Sequence, residues 1–493
     1  MTKTMPSPPG KRPASPSMHP AVLLVAHGSA HNGASSDPVR AMGRALVARG
    51  FAEVATGFWK EEPFLHQALD TVRCARIVVV PLFLAEGYFS RVVVPRELGL
   101  AYGLTTTASR QIHLLSPIGA DPELDGLVSD RARSALPEGS AHDEALVVVL
   151  GHGTRLDPRS ADTVLRVCRR LERRSEFARV APAFIDQEPR LAGVTDRATE
   201  PLIVVVPFLV AAGFHGGGTV PEELATTGSG GGYGRPGAPR KIVYAEPVGT
   251  HPALIDTVVR NILDTRFDTE PVQAGAPDRA HPAFTGLEAA LADEIARRGS
   301  VTLLEVEIRV LGDTYVLRHR ADVGAADGML AVQPDASSLE ELARRTSGGS
   351  HRPLRTAAGL PTGWQHRANG IRELVKALIA LYGPAVVHWH LGDQGQLRST
   401  GFTEVAARQT GIYAALQRVE PTVVADAIRH CCEGHPCLRT RVWDWSGSSA
   451  GRAPQALAPA PSKRTGLPVP CPAPCPILLS TMIQANPDDP VPA

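Results

Sequence analysis

The sequence predicts an α/β protein built on mainly parallel sheets, with its first half duplicated. Three observations carry this. Short unbroken apolar runs such as "AVLLVA", "RIVVVPLFL", "ALVVVLG" and "LIVVVPFLV" lack polar alternation, as strands buried on both faces do. Longer amphipathic stretches separate them; Asp37-Pro38 before "VRAMGRALVARG" supplies an N-cap, a first-turn proline and a closing Gly50. Three phrases then recur in order about 125 residues later: "VLLVAHGSA" as "VVVLGHGTR", "RIVVVPLFLAEGYFSRVVVPREL" as "LIVVVPFLVAAGFHGGGTVPEEL", and "IHLLSPIGADPEL" as "IVYAEPVGTHPAL". That period is too long for a solenoid, so each unit is a whole domain.

Bulk properties narrow the class. A chain of 493 residues exceeds a single ordinary core. Lys+Arg 51 against Asp+Glu 50 gives a net charge of +1, with no global field for nucleic acid or an anionic membrane. The N-terminus has no apolar core, and no later run approaches the roughly 20 residues of a membrane span. The expectation is a soluble cytoplasmic protein, monomeric or weakly self-associating, that binds a small molecule. The expected division is a tail over 1–19, repeat 1 over 20–138, repeat 2 over 139–268, a linker with a small α+β spacer over 269–350 and a cysteine-bearing domain over 351–493. Five of the 7 cysteines follow residue 430, which favours metal over disulfides in a reducing compartment. Cys168, at helical spacing from Val164 and Leu171, is expected in a core.

Ligands of open α/β sheets bind beyond the carboxyl ends of strands. There stand His27 and His152, each before a glycine, and the matched phrases "GFWKEEPFL" and "AFIDQEPRL" with their acidic residues. A lone strand-end histidine is often only a hydrogen-bonded structural residue, and His27 reads so. His152 has a second imidazole in its own unit, His215, where repeat 1 has Phe89. Two imidazoles with a carboxylate from Asp186 or Glu188 suit a borderline divalent ion such as Co²⁺, Ni²⁺ or Fe²⁺.

The doubled "HGS"/"HGT" strand ends, "PFLVAAGFH" and "EEPFL"/"QEPRL" resemble the class II tetrapyrrole chelatases, the sirohydrochlorin cobaltochelatase and ferrochelatase group, over about residues 20–265. The resemblance implies two flavodoxin-like units facing across a cleft, with histidines that bind the metal and take the pyrrole protons. It places those histidines at His152 and His215, and leaves His27 auxiliary. Imidazole is the side chain whose ordinary pKa suits that proton transfer near neutrality. A polycarboxylate macrocycle would need cations, for which Arg155, Arg91 and Arg190 stand near matched motifs, each with the plainer reading of a solvated charge. Glu86, in the matched turn of repeat 1, either reaches into the site or is solvated. "HGGGT" and "GSGGGYG" lack P-loop or dinucleotide spacing and read as a loop at the cleft mouth.

Beyond about Asp268 a linker precedes a helix, "LEAALADEIARRG", and two alternating strands hinged at Gly312-Asp313, with no chemistry in them. "CCEGHPC" and "CPAPCP" then offer Cys437, Cys471 and Cys475 with either Cys431 or Cys432, a set for a 4Fe–4S cluster or zinc. A chelatase duplication with such an extension resembles a cluster-binding branch of these chelatases, through "LPTGWQHRANGIRELVKALIALYG", "HWHLGDQGQL", "RQTGIYAAL" and "RHCCEGHPCLRTRVWDW". His388 and His390, alternating around Trp389, are read either as ligands or, the plainer expectation, as lying on one face of a strand near the cluster. The resulting expectation is a lyase that inserts Co²⁺, or Fe²⁺ or Ni²⁺, into sirohydrochlorin for cobalamin or sirohaem. The alternatives are a carrier or iron–sulfur sensor on a degenerate chelatase fold, and a redox role for the cluster.

Overall fold

A computed structural model describes residues 19–154, 158–211, 241–268, 281–355, 359–394, 396, 402–434 and 474–485. Repeat 1 is a sheet of β1 (Ala21–Ala26), β2 (Val54–Phe58), β3 (Arg76–Pro81), β4 (Gly103–Thr106) and β5 (Gln111–Leu114), ordered β2-β1-β3-β5-β4, parallel except for the β4 edge. Repeat 2 gives β6 (Ala145–Gly151), β7 (Arg179–Phe184), β8 (Leu202–Pro207) and β9 (Lys241–Tyr244), ordered β7-β6-β8-β9 and wholly parallel. The unbroken apolar runs are the central strands: every residue of β1, β6 and β8 is buried.

Helices α1 (Asp37–Ala48) and α2 (Leu124–Ala135) of repeat 1 pack on α4 (Leu254–Leu263) and α3 (Asp162–Glu172) of repeat 2, respectively. Arg49 pairs with Asp256 across the first contact; Arg170 donates to Asp125 at 2.8 Å across the second. One hydrophobic core therefore runs through both units, including Val22, Leu24, Val39, Val147, Cys168, Val204 and Val258. At about 1.5–3 kcal/mol for each large apolar side chain buried, this seam joins the repeats firmly. Cys168 is buried, as expected, and burial pushes its thiol up to about 12. The N-cap of α1 is Ser36; Asp37 lies in the first turn, its carboxylate drawn to Arg344.

The third unit extends past the expected limit at 350. Its sheet is β10 (Ser300–Leu303), β11 (Val306–Leu311), β12 (Thr314–His319), β13 (Ala331–Gln333) and β14 (Trp364–Asn369), ordered β10-β11-β12-β14-β13. Residues past 350 belong here because β14 pairs with both β12 and β13, and Trp364 is buried in this core with α6 (Ile371–Tyr382). The expected helix is α5 (Pro282–Arg298), and the Gly312-Asp313 hairpin is present, joining β11 to β12. His388 and His390 lie on α7 (Ala385–Asp393), which corrects the strand expectation. The alternating "VHWH" mimics a strand, but Pro384 and the Val387 and His388 amides bonded to its carbonyl start a helix. His388 Nε2 binds Asp70 at 2.8 Å, and His390 packs where Gly286 of α5 has no side chain, so both serve interdomain and interhelix packing.

In the C-terminal module α8 (Pro421–Ile428) and α9 (Pro476–Gln484) share a small core of Val405, Leu416, Val424, Ile428, Leu478 and Met482. His215, Arg155, Cys437, Cys471 and both glycine-rich phrases lie outside the described residues, as does the side chain of Cys432. Among the described residues no helix is long and apolar enough to cross a membrane.

Candidate metal and docking sites at the two matched strand ends

β1 and β6 end in His-Gly, and the glycine is dictated by geometry. Gly28 and Gly153 have φ of +65° and +67°, where side chains are strained. An added Cβ would also lie 2.9 Å from Glu61 Oε1 in repeat 1 and 2.6 Å from Gln187 Cγ in repeat 2. The following loops bond back in the same way: the Lys60 and Asp186 amides each donate to the preceding histidine's carbonyl at 2.9 Å. Each ring's Nδ1 lies beside the next carbonyl, 3.0 Å for His27 and 2.9 Å for His152.

Around these identical frames the chemistry differs. In repeat 2, Asp186 Oδ2 is 3.3 Å from His152 Nδ1, and the carboxylate is half exposed. Gln187 Oε1 accepts from the Thr154 amide at 2.9 Å and the Ser160 hydroxyl at 3.2 Å, which pins the turn carrying His152. Glu188 does not join them: its Oε2 accepts from the Arg190 amide at 3.0 Å. Of the expected acidic pair, then, only Asp186 sits on the histidine. Among the described residues no three His, Cys, Asp or Glu side chains gather as a complete metal site.

In repeat 1 the Asp186 position is Lys60. Its ammonium donates to Tyr413 Oη at 2.7 Å and Ser480 Oγ at 2.6 Å, both in the C-terminal module. Burial pushes the Tyr413 phenol up, but the Lys60 charge and hydrogen bonds outweigh it and hold the phenol below its usual range. Trp59 meets Tyr413 edge-on at 5.7 Å and Phe89 at 5.9 Å; Phe89 lies 5.0 Å from His27. His27 thus has the Phe89 ring beside it, and the next loop carries a lysine where repeat 2 has a carboxylate.

The other side of this strand end is sealed by the third unit. Glu61 is 1% exposed and pairs with Arg40 at 3.2 Å, while Arg40 also pairs with Glu340, as does Arg355. Arg344 donates to the Gly33 carbonyl at 2.6 Å, the Ser36 hydroxyl at 3.0 Å and Asp37 at 2.9 Å; His351 Nε2 reaches the Ser29 carbonyl at 2.9 Å. Burial brings the Arg355 guanidinium down to about 10, yet it stays charged at neutral pH.

Glu86 pairs with Arg166 of α3 and lies 3.6 Å from the half-exposed Arg91, so it joins the repeats through an ion pair. In the C-terminal module, Cys475 caps α9 and its Sγ accepts the Leu478 amide at 3.5 Å; Cys431 Sγ reaches Thr481 Oγ1 at 3.4 Å. Both pack on the same small core. A helix N-terminus that donates an N–H to sulfur favours the thiolate form that cluster ligation requires, so the setting of Cys475 fits an iron–sulfur ligand.

The doubled parallel α/β unit, with a histidine and a carboxylate at one strand end, has the architecture of the chelatase class. The CbiX family model matches residues 21–135 and 146–265; a 4Fe-4S iron-sulfur cluster binding domain matches 394–484, and the DR2241 stabilising domain matches 286–393. The chain is 32% identical over 287 residues to the probable sirohydrochlorin cobaltochelatase of Halobacterium salinarum, covering 52% of this chain and 92% of that one. DR2241 from Deinococcus radiodurans, a multi-domain protein with structural similarity to chelatases and two additional novel domains, superposes with a TM-score of 0.74 at 28% identity, over 94% of this chain and 98% of that one. The chain belongs to the CbiX chelatase family.

Sequence reasoning missed Lys60, Gln187, Arg40, Arg344 and Tyr413. A signal for two of them was present: setting "WKEEP" over "IDQEP" places Lys60 on Asp186 and Glu61 on Gln187. The partners in the third and fourth units had no such signal.

Proposed function

We propose that the protein inserts a divalent metal, Co²⁺ foremost, into sirohydrochlorin in the cytoplasm, with repeat 2 as the working copy. The observation that carries this reading is the His152–Asp186 pair, 3.3 Å apart at a strand end whose counterpart in repeat 1 holds Lys60 and Phe89. A proton on Nδ1 of His152, shared with the Gly153 carbonyl and Asp186, leaves the Nε2 lone pair for the incoming ion, as in carboxylate-backed histidine ligands. His215, from the same unit, would supply the second imidazole and Arg155 a cation for the macrocycle's carboxylates.

One weak imidazole pair suits a metal that has to be released. Thiolates would hold it too tightly for the macrocycle to take, whereas imidazole also accepts the pyrrole protons near neutral pH. The iron–sulfur cluster, when bound, supplies a resident redox-active group held by Cys431 or Cys432 with Cys437, Cys471 and Cys475.

The test is anaerobic metal insertion, followed by absorbance, with sirohydrochlorin and Co²⁺, Fe²⁺ or Ni²⁺. A rate above background that disappears in the His152→Ala, His215→Ala double variant supports the reading. No rate with any of the three metals, with the cluster intact, overturns it in favour of a carrier or sensor.

A further inference from the structure

The segment Glu86–Tyr88 of repeat 1 touches the cluster-binding module at one end and the working copy at the other. Tyr88 Oη is hydrogen-bonded to Thr410 Oγ1. Just beyond, Arg96 donates to the Arg408 carbonyl and to Gln409 Oε1, each at 3.0 Å, and Arg408 lies 3.6 Å from Glu97. On the other side, the Glu86 amide donates to Thr163 Oγ1 at 3.3 Å and its carboxylate pairs with Arg166. Gly87 packs on Ser160, whose side chain a Cβ there would meet at 3.6 Å. Ser160 is bonded to Gln187, and Gln187 holds the Thr154 amide beside His152. The residues that follow, Phe89–Val93, form a π-helical turn, a conformation of marginal hydrogen bonding that often marks functional segments.

The same module carries the expected cluster ligands beside a core of its own. Its described core is small, Cys431 and Cys475 stand at its edge, and α9, which Cys475 caps, carries the Ser480 that receives Lys60. Tying Cys431 and Cys475 through a cluster would fix α9 against the turn that follows α8, and removing it would take away the metal-derived stability of a module this size.

We propose that the loading state of the iron–sulfur module is transmitted through Glu86–Tyr88 to the His152 turn of repeat 2, so that cluster loss loosens that turn. In the loaded state the module seats on Lys60 and Tyr88, the Glu86–Gly87 stretch is held against Thr163 and Ser160, and the Gln187 clamp on Thr154 is set. In the stripped state the anchor at Thr410 and Gln409 is lost and the clamp is less constrained. Physical continuity alone is not coupling, so the test has to measure a response at the far end. The functional meaning rests on repeat 2 being the chelatase site; the structural coupling does not.

The experiment is hydrogen exchange on the full chain, cluster-loaded and chelator-stripped, read at residues 84–93 and 158–166. Stripping is expected to accelerate exchange in both segments by about five-fold or more, the lower end of ordinary allosteric coupling, with β6 unchanged. In Tyr88→Ala, with the loaded cluster's visible absorbance intact, the response of 158–166 to stripping is expected to shrink, because only the Arg96 anchor remains. Equal exchange at 158–166 in loaded and stripped wild type overturns the proposal, as does a full response in Tyr88→Ala. Cobalt insertion measured on the same samples separates the two readings: no insertion in either state with an intact exchange response would sink the chelatase assignment and leave the coupling standing.

Discussion

Repeat 1 and repeat 2 close their central strands with the same His-Gly turn, the same positive-φ glycine and the same back-bonded loop. They then use that frame for opposite purposes. Repeat 2 sets a half-exposed carboxylate on the ring and keeps the turn pinned by an uncharged Gln187. Repeat 1 has Glu61 at the matched position and has surrounded it with Arg40 and Arg344, so the strand end has become a socket for two added units. The lesson concerns duplication: one backbone geometry serves two settings, and a single position, Asp186 in one copy and Lys60 in the other, reverses the sign of the charge that the turn presents.

The sharpest way to break this comparison is at the socket. Arg344→Ala removes a 3%-exposed cation from Asp37, Ser36 and the Gly33 carbonyl and leaves Glu61 and Asp37 less compensated; loss of one member of a buried ionic network costs about 3–5 kcal/mol, to be read by urea unfolding. The exposed Glu188→Ala in the matched loop of repeat 2 should change stability by less than about 0.5 kcal/mol. Similar losses for the two variants would refute the assignment of unequal roles.

Next come the rings. His152→Ala should lower cobalt insertion at least about 100-fold, the scale of a lost proton acceptor, while His27→Ala leaves the rate within a few-fold. Asp186→Lys, which copies repeat 1 into repeat 2, should abolish Co²⁺ binding at His152 by titration; retained binding would show that the carboxylate is dispensable. The glycines give a smaller and more even effect. Gly28→Ala and Gly153→Ala each force a side chain into left-handed backbone and should each cost about 1–2 kcal/mol by thermal or urea unfolding, but only the second should slow insertion.

The smallest expected effect is a pH dependence confined to the repeat 1 interface. His281 donates its amide to the Arg73 carbonyl at 2.7 Å and accepts the Ala283 amide on Nδ1 at 3.3 Å, capping α5. Burial, then the nearby Arg110 charge, lowers the ring to about 4. A histidine kept neutral in the folded state contributes fully above its unfolded value of about 6.5 and progressively loses that contribution as pH falls toward its folded value. Unfolding measured at pH values above and below that window should show wild type weakening more than His281→Asn, which keeps a capping acceptor but does not titrate. Parallel curves would remove this residue from the account.

Much of the fold was legible because its signals are local or periodic. Buried parallel strands write themselves as unbroken apolar runs, and a duplication writes itself as matched phrases, so β1, β3, β6 and β8 and the His-Gly turns followed directly. Where two periods compete, pattern reading failed: "VHWH" alternates like a strand, but helix-starting contacts at Pro384 and packing on α5 and Asp70 decided otherwise. The limit at 350 failed for a related reason, since β14 is recruited to its sheet by β12, nearly 50 residues earlier in the chain.

By itself the sequence determined two α/β repeats, histidines at matched strand ends, an inequality between the copies written as Phe89 against His215, and a cysteine-rich end suited to a cluster. Only the tertiary structure decided that Asp186 rather than Glu188 sits on His152, that Glu86 is consumed by Arg166, and that Lys60, Glu61 and Trp59 face the third and fourth units. The physical reason is that residue type and spacing fix what a side chain can do, whereas its partners come from segments as far as 420 residues away, brought within hydrogen-bond reach only when separate cores pack together.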